Sequence, residues 1–425
     1  MRTSPSFGRF WNIALLLVAT SANNLATAAD MPLAWPSNGG MAAKLQPFLD
    51  NHVIAGAVVL VANKDNILDL EAVGYANMRD HKPMQTIDLF YIASMTKCFT
   101  ATALMMLVDK GKVNINDPVE KYLPEFKGQM VEESKGQRHL PQHPITVREV
   151  MSHTAALHEG PPHSTTLEGY VKEIAQAPLQ WEPGTKYKYS PGPAIGGRIV
   201  EVVSGLPYAE FIQQRLLDPL GLKDTTFWPT TEQDHRLALT HECNPKTKAL
   251  EPIQHNSDAI AAGKSSDVPP NVLSQLGGNA ITAYKYHFAN PAGGLYSTAT
   301  DIAKFCQMLL NGGTYQGKQY ISPAAYQQMT SIQTGQAETP PDVSYGIGCF
   351  VQKKAPAGGP SVGSFGHHGA RKTQMWIDPQ HQLVMVLMVQ CTELSHSDQD
   401  GLYAAYRNQA IARFGKTSLP GTASN

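Results

Sequence analysis

The sequence has few charges, few cysteines and no long apolar run, and each shortage excludes a class of protein. Charged residues make up 16% of the 425 residues, and the formal net charge is −1. Nucleic-acid binding needs a clear basic excess, so this class is not expected. The five cysteines contain no C-x-x-C pair, and no glycine-rich phosphate-binding motif occurs in a suitable context. We therefore expect neither a metal nor a nucleotide cofactor.

The first thirty residues have the layout of a secretory signal peptide. Arg2 and Arg9 give a basic start, Ile13 to Ala19 is an apolar run, and Ala26-Thr27-Ala28 is a small-x-small cleavage site. The apolar run is too short to span a bilayer. We therefore expect residues 1–28 to be a cleaved signal peptide, with no stable membrane span. The mature protein would be periplasmic or extracellular.

Strand patterns occur near both ends of the chain. Apolar segments on either side of the polar turn 63–66 predict one hairpin, and segments flanking the turn 378–381 predict another. A long helix, apolar on most faces, is predicted over Ser94 to Asp109, and a closing helix over Asp398 to Phe414. The simplest architecture is an α/β fold with an antiparallel sheet built from both chain ends, flanked by helices.

This architecture gives the expected domain boundaries. Residues 30–90 and 285–416 would form the α/β subdomain, residues 91–284 an inserted helical and loop-rich subdomain, and residues 417–425 a tail. Within the inserted part, Pro207 to Leu217 is predicted to be helical. Residues 230–290 are polar and rich in glycine, proline and serine, so we expect long loops there.

Ser94-Met95-Thr96-Lys97 is an S-x-x-K motif at the start of the long predicted helix. Residues three apart share a helix face, so Lys97 can reach the Ser94 hydroxyl. The first helical turn also presents unpaired N–H groups that favour negative charge. Burial lowers the pKa of a lysine, so a neutral Lys97 could take the serine proton. The motif alone often occurs by chance, and a helix-capping serine with a surface lysine is the alternative.

Further segments, in the same order, resemble the family of class C β-lactamases, D,D-peptidases and family VIII carboxylesterases. They are Tyr91 to Lys97, Asn116 to Phe126, Ile145 to Thr154, Pro183 to Glu201, Gly293 to Asp301, and Phe365 to Gly369. The last segment resembles the family's H-x-G, which takes the place of K-T-G. The resemblance implies a β-lactamase/penicillin-binding-protein-like fold that transfers an acyl group to serine and then hydrolyses it.

The resemblance also implies a role for each matching residue. Ser94 would be the acylated nucleophile and Lys97 its base. Tyr189 would relay protons to and from the leaving group, and His367 would line the opposite wall of the site. The backbone N–H groups of Ser94 and Ala370 would form the oxyanion hole, which acts on charge that develops in the tetrahedral state.

Two departures from the family's motifs bear on the substrate. The Tyr-x-Asn motif is Tyr189-Ser190-Pro191 here, and proline has no amide to hold Lys97 or to bind a substrate's amide side chain. Ester cleavage is therefore favoured over β-lactam or peptide turnover. The threonine position of K-T-G is His368, which with Gly369 and Arg371 is expected to bind substrate. We hypothesise that Arg371 binds a carboxylate, because a guanidinium fork suits one; a solvated surface arginine is the alternative.

Two other patterns have less support. Gly359 to Gly363 matches G-x-S-x-G around Ser361, but that nucleophile elbow needs a strand before it and a helix after it. A polar, glycine- and proline-rich loop precedes it here.

His153, His158 and His163 recur every five residues, but two prolines interrupt the run. We therefore interpret His153 as structural and expect no metal site.

Together these observations predict a serine hydrolase that acts on a small-molecule or cell-wall-derived substrate, with esterase activity favoured. A β-lactamase and a D,D- or D-amino-acid peptidase are alternatives, because loops decide the substrate in this fold. A β-lactamase-like binding protein that has lost turnover is the alternative of another class, and Pro191 is its best support.

Overall fold

The computed structural model describes most of the chain between residues 40 and 416. The described ranges are 40–133, 136–158, 160, 163–243, 249–252, 288–337, 339–392 and 394–416. The predicted signal peptide and the tail 417–425 lie outside them, as do residues 244–248 and 253–287 of the predicted loops. Within the described ranges no helix is both long and apolar enough to cross a membrane.

The described residues form strands and helices in alternating groups. The strands are β1 (Gly56–Ala62), β2 (Ile67–Asn77), β3 (Lys82–Pro83), β4 (Phe90–Tyr91), β5 (Val131–Glu132), β6 (Arg138–His139), β7 (His241–Cys243), β8 (Leu250–Pro252), β9 (Tyr296–Ser297), β10 (Thr314–Tyr315), β11 (Lys318–Gln319), β12 (Val343–Tyr345), β13 (Phe350–Gln352), β14 (Phe365–His368), β15 (Gln374–Asp378) and β16 (Leu383–Val389). The helices are α1 (Gln46–Asp50), α2 (Thr96–Asp109), α3 (Val147–Met151), α4 (Leu167–Gln176), α5 (Gly192–Ser204), α6 (Tyr208–Ile212), α7 (Asp218–Leu220), α8 (Thr231–Asp234), α9 (Ala299–Leu310), α10 (Pro323–Thr330) and α11 (His396–Phe414).

An eight-stranded antiparallel sheet is built from both ends of the described chain, which confirms the predicted fold class. Its order is β12-β13-β14-β15-β16-β1-β2-β3. Strand β1 therefore pairs with β16, with Leu60 opposite Val386. Both predicted hairpins are present, as β1–β2 and β15–β16. The division into two subdomains at the predicted boundaries stays a prediction.

Strands β1 and β16 are buried along their whole length because the sheet is covered on both faces. Alternate side chains of β1 belong to two separate apolar cores: Val58, Leu60 and Ala62 to one, and Ala57, Val59 and Val61 to the other. This explains why both strands are continuous apolar runs rather than alternating patterns. Helix α9 contacts β1 and β16, and α11 contacts β16.

A tyrosine from the last helix joins the two central strands. The Tyr406 hydroxyl donates a hydrogen bond to the carbonyl of Leu60 in β1 and accepts one from the N–H of Val386 in β16, at 2.9 Å. Leu60 and Val386 are opposite each other in the sheet. Tyr406 is fully buried, so α11 contributes a polar group to the ladder between the first and the last long strand.

Helix α2 begins directly after the S-x-x-K serine and is buried from Thr96 to Leu107. It is the helix predicted over Ser94 to Asp109, except that its first turn, Ala93–Met95, is a 3₁₀ turn. Phe99 of α2 stacks on Phe305 of α9 with ring centroids 3.9 Å apart. The stack fixes α2, and with it the start of the helix, against the element that covers the sheet.

Helices α4 and α5 were not predicted from the sequence. Helix α5 contains Gly192, Gly196 and Gly197, which lower helix propensity. Each of the three touches a neighbour too closely for a side chain: a Cβ at Gly192 would lie 1.8 Å from the Val150 carbonyl oxygen of α3. The helix predicted over 207–217 is confirmed: α6 continues without a break into a π-helical segment, Gln213–Leu217, and then into α7.

Four of the five cysteines are buried. They are Cys98, Cys306, Cys349 and Cys391, whereas Cys243 in β7 is exposed. Burial raises the pKa of Cys391 to about 11 and that of Cys349 to about 12. The buried thiols are therefore protonated and behave as small apolar side chains.

The stack between Phe99 and Phe305 gives a test of how α2 is held. We expect Phe305→Ala to lower the free energy of unfolding by about 3–5 kcal/mol, because it removes a fully buried ring and leaves a cavity. Urea denaturation measures the change. The control is Val362→Ala at an exposed position, which should change stability by less than about 0.5 kcal/mol. Equal effects of the two substitutions would contradict the role of the stack.

Candidate active site

Ser94 lies in the 3₁₀ turn that precedes α2 and is partly exposed. The residue before it, Ala93, has a φ of 44°, a value that non-glycine residues rarely adopt. Such backbone strain is common at functional sites. The N–H of Ser94 has no hydrogen-bond partner among the described residues. The serine therefore presents both a hydroxyl and an unused backbone donor at the start of a buried helix.

Lys97 lies one turn after Ser94, and its side chain is buried. Its Nζ atom is 3.0 Å from Ser94 Oγ and 2.5 Å from the carbonyl oxygen of Ala292. The side chain is only 3% exposed, and burial lowers the pKa of Lys97 to about 7. A large fraction of the lysine is therefore neutral near pH 7 and has a lone pair for the serine proton.

The carbonyl of Ala292 belongs to a loop that is tied to α2 at two further points. Thr100 Oγ1 donates to the carbonyl of Pro291 at 2.6 Å. The N–H of Leu295 donates to Thr96 Oγ1 at 3.1 Å. Sequence analysis did not predict the role of Ala292, because every residue has a backbone carbonyl and the residue type therefore gives no sign of this contact. It supplies a contact for Lys97 that the proline at position 191 cannot give.

Tyr189 lies beside this pair. Lys97 Nζ is 4.8 Å from the centroid of the Tyr189 ring. Burial raises the pKa of the Tyr189 hydroxyl, and a hydrogen bond to Ser94 opposes that rise in part. The hydroxyl therefore stays protonated near neutral pH and lies within hydrogen-bonding reach of Ser94. The structure thus brings together the three residues to which the resemblance gave the proton-transfer steps.

His367 in β14 lies near Tyr189, with ring centroids 6.2 Å apart. Its Nδ1 is 2.7 Å from the carbonyl oxygen of His368 and its Nε2 is 2.8 Å from the Tyr345 hydroxyl. A carbonyl can only accept, so the proton is on Nδ1. Burial holds the pKa of His367 well below its usual range, and Nε2 therefore accepts from Tyr345. Both ring nitrogens are engaged, and the contact with substrate stays a prediction.

The turn after β14, which contains Ala370, lies against the backbone just before the serine. A Cβ on Gly369 would lie 2.5 Å from the carbonyl oxygen of Ile92, two residues before Ser94. Only glycine therefore lets the turn approach this closely. Ala370 is exposed, and its N–H has no hydrogen-bond partner among the described residues. The two backbone donors predicted for the oxyanion hole are thus both unused.

The three other predicted substrate-binding positions differ in setting. The His368 ring stacks on Phe350 with centroids 5.0 Å apart, and burial lowers the pKa of His368 to about 4. Gly369 is buried in the turn. Arg371 is partly exposed. Burial raises the pKa of Tyr91, and the positive charge of Arg371 opposes that rise in part. Its binding of a substrate carboxylate stays a prediction.

Pro191 precedes α5 in the second motif. Ser190 is buried, and its Oγ lies 3.2 Å from His153 Nδ1 and 3.4 Å from the N–H of Gly192. The motif residues after Tyr189 therefore offer no side-chain amide to the site, and their hydroxyl is occupied. The departure seen in the sequence leaves Ser94, Lys97 and Tyr189 together.

Ser361, the serine of the G-x-S-x-G match, lies beside a histidine and an aspartate. Its Oγ is 3.0 Å from His381 Nδ1, and Asp378 Oδ2 is 2.8 Å from the same nitrogen. A catalytic triad needs the serine on one ring nitrogen and the carboxylate on the other. Ser361 is also buried, and its N–H donates to Asp378. This cluster fixes the turn between β15 and β16.

The three regularly spaced histidines do not converge on one ion. His153 is buried, whereas His158 and His163 are exposed. Across the ranges that the structure describes, no group of three or more histidine, cysteine, aspartate or glutamate side chains is placed to hold a metal ion.

The sheet, the buried α2 and the serine–lysine pair at its start define a serine hydrolase with a β-lactamase/penicillin-binding-protein-like fold. The family model described as Beta-lactamase matches residues 41–409. The chain belongs to the beta-lactamase family, and it is a serine hydrolase of that family.

The chain is similar over most of its length to several individual proteins. Protein Rv1367c of Mycobacterium tuberculosis (strain ATCC 25618 / H37Rv) is 27% identical over 413 residues, which cover 90% of this chain and 96% of the relative. The "Putative D-alanyl-D-alanine carboxypeptidase" of Salmonella agona (strain SL483) is 28% identical over 382 residues, 81% of either chain. The solved structure of "EstCE1, a hydrolase with promiscuous acyltransferase activity" has a TM-score of 0.71 at 24% identity, covering 87% of this chain and 97% of its own.

The lowered pKa of Lys97 predicts how hydrolysis depends on pH. Only the deprotonated amine can act as base, so kcat/KM should rise about tenfold per pH unit below the pKa of about 7 and level off above it. The measurement is p-nitrophenyl butyrate hydrolysis from about pH 5 to pH 9, corrected for the spontaneous reaction. Lys97→Arg, which stays charged, should be inactive throughout. A profile that still rises steeply at pH 9 would contradict a buried, neutral lysine.

Proposed function

We propose that this serine hydrolase cleaves esters of small acyl groups through an acyl-enzyme on Ser94. The observation that carries the proposal is the contact of Lys97 Nζ with Ser94 Oγ at 3.0 Å, in a setting that lowers the pKa of the lysine to about 7. Lys97 takes the proton of the Ser94 hydroxyl as Oγ attacks the carbonyl carbon. The N–H groups of Ser94 and Ala370 stabilise the oxyanion.

Tyr189 completes the proton path. As the C–O bond of the tetrahedral intermediate breaks, the proton held by Lys97 passes through the Tyr189 hydroxyl to the departing alkoxide. Water then attacks the acyl-enzyme and gives up a proton through Tyr189 to Lys97. As the bond between Ser94 Oγ and the acyl carbon breaks, Lys97 returns this proton to Ser94 Oγ, and the acid leaves. Because the Tyr189 hydroxyl keeps its proton at neutral pH, it can donate one proton as it accepts another.

Esters are favoured over amides by what surrounds Tyr189. Family members with Tyr-x-Asn have a side-chain amide at the third position, whereas this chain has Pro191. The neighbouring Ser190 hydroxyl is occupied by His153 and Gly192. A substrate amide would therefore lose a hydrogen-bond partner on entering the site, which disfavours amides. An ester makes no such demand.

Two features bear on the rival functions. The relative named as a D-alanyl-D-alanine carboxypeptidase and the basic Arg371 support a peptidase as the second candidate. A binding protein without turnover loses its main support, because the Ala292 carbonyl holds Lys97 where the asparagine is missing. Export to the periplasm or beyond, suggested by the signal-peptide pattern of residues 1–28, is part of the proposal.

The nucleophile is tested by comparing two serines. We expect Ser94→Ala to lower kcat/KM for p-nitrophenyl butyrate by at least about 10³-fold, because it removes the acylated atom. Ser361→Ala is the matched control and should leave kcat/KM unchanged, since its hydroxyl only fixes a turn. Tyr189→Phe should lower kcat by about 10²–10⁴-fold. Retained activity in Ser94→Ala would show that Ser94 is not the nucleophile.

Substrate preference is tested with one ester, one β-lactam and one peptide. We expect p-nitrophenyl butyrate to be turned over at least about 10-fold faster in kcat/KM than nitrocefin or a diacetylated lysyl-D-alanyl-D-alanine peptide. Release of D-alanine at a higher kcat/KM than the ester would establish the peptidase instead. If no substrate is turned over and a fluorophosphonate fails to label Ser94, the result would favour a binding protein without turnover.

A further inference from the structure

The segment that carries Tyr189 has no regular secondary structure, yet one residue holds it on both sides. The N–H of Lys188 donates to the backbone carbonyl of His153 at 2.9 Å. The N–H of Ser190 donates to Nδ1 of the same histidine at 3.1 Å. The two neighbours of Tyr189 in the chain are thus both bound to His153, one through its backbone and one through its ring.

The ring of His153 also packs against Tyr189 itself. Their ring centroids are 4.4 Å apart with an angle of 36° between planes. On another side, the Tyr345 ring lies at 4.5 Å and nearly edge-on. His153 is 1% exposed. It therefore limits where the tyrosine ring can lie as well as where its backbone runs.

The hydrogen bonds fix the protonation state of this histidine. A backbone N–H can only donate, so Nδ1 must accept from Ser190 and the proton is on Nε2. Nε2 is buried and has no partner among the described residues. A buried donor without an acceptor is unfavourable. The ring of His153 therefore makes its hydrogen bonds to the described residues through Nδ1 alone.

The backbone at His153 is equally specific. Its φ of 62° is in the left-handed region. It follows α3, whose start is fixed by a capping box between Thr146 and Glu149. Asparagine tolerates this conformation better than most residues, and its side-chain oxygen lies near the position of Nδ1. Glutamine is one methylene longer and carries its oxygen beyond Nδ1. The two amides are therefore a matched pair.

We propose that His153 is a positioning residue for Tyr189, an uncharged clamp that sets the hydroxyl against Ser94 and Lys97. This inference rests on the proposed function, in which Tyr189 relays protons. It goes beyond the purely structural interpretation of His153. The residue does not touch the substrate; it acts by keeping the tyrosine within hydrogen-bonding distance of the serine.

The experiment is a double-mutant cycle between position 153 and the Tyr189 hydroxyl. We expect His153→Gln to lower kcat for p-nitrophenyl butyrate about 10²-fold with KM changed less than about 3-fold, since displacing a catalytic group by about 1 Å has this effect. His153→Asn should restore kcat to within about tenfold of wild type. In the Tyr189→Phe background both should change kcat less than about 2-fold, because no hydroxyl remains to be placed.

Each value of kcat is expressed per acylated site, counted from the p-nitrophenol burst, so unfolded molecules do not enter. Equal losses with and without the Tyr189 hydroxyl would overturn the proposal and leave His153 with a structural role. If His153→Gln yields no folded protein, the cycle with His153→Asn decides, since its lost ring contact still predicts a few-fold loss that vanishes in Tyr189→Phe. A fully active Tyr189→Phe would overturn both the relay and the clamp. A fully active Ser94→Ala would overturn the proposed function together with this inference, whereas a failed cycle beside an inactive Ser94→Ala would overturn the clamp alone.

Discussion

The burial of one amine is the constraint on which the site depends. Lys97 points into a pocket where a permanent charge would be poorly solvated, and its pKa falls to about 7 as a result. The titratable groups around it are uncharged as well: His153 and His367 are neutral and Tyr189 keeps its proton. The apolar α2, its stack on α9 and the Ala292 carbonyl all hold this amine against the serine. A neutral base and a neutral acid can then exchange a proton without a net charge entering the pocket.

The strands of the sheet could be predicted because their pattern lies in short, continuous segments of the sequence. Strands buried on both faces are apolar throughout, and a polar turn between two such runs indicates a hairpin. Helix α5 could not be predicted in this way. Its glycines are unfavourable for an isolated helix, and they are needed only because α3 and Pro291 come within contact distance in the folded protein. That requirement arises from tertiary packing.

The main residues of the site could be predicted from the sequence, but their hydrogen bonds could not. Helical spacing placed Lys97 within reach of Ser94. The catalytic roles of this pair, like the choice of Tyr189 and His367, came from resemblance to a family. What the residue types could not show were the hydrogen bonds: His367 has both nitrogens engaged, and His153 flanks the tyrosine. Ser361 shows the converse. Its motif and its partners His381 and Asp378 suggest catalysis, but both partners meet the same ring nitrogen.

The tyrosine that joins β1 to β16 has a consequence for the order in which the chain can fold. Apolar strands covered on both faces carry little information about register, because a shift by one residue still buries apolar side chains. Tyr406 selects the pairing of Leu60 with Val386. It lies in the last helix, 346 residues after Leu60 of β1. While the chain is being synthesised, the β1–β2 hairpin therefore lacks both β16, the other neighbour of β1, and the group that sets its alignment. The alignment of the sheet at β1 and β16 is therefore set by a helix that is synthesised after both strands.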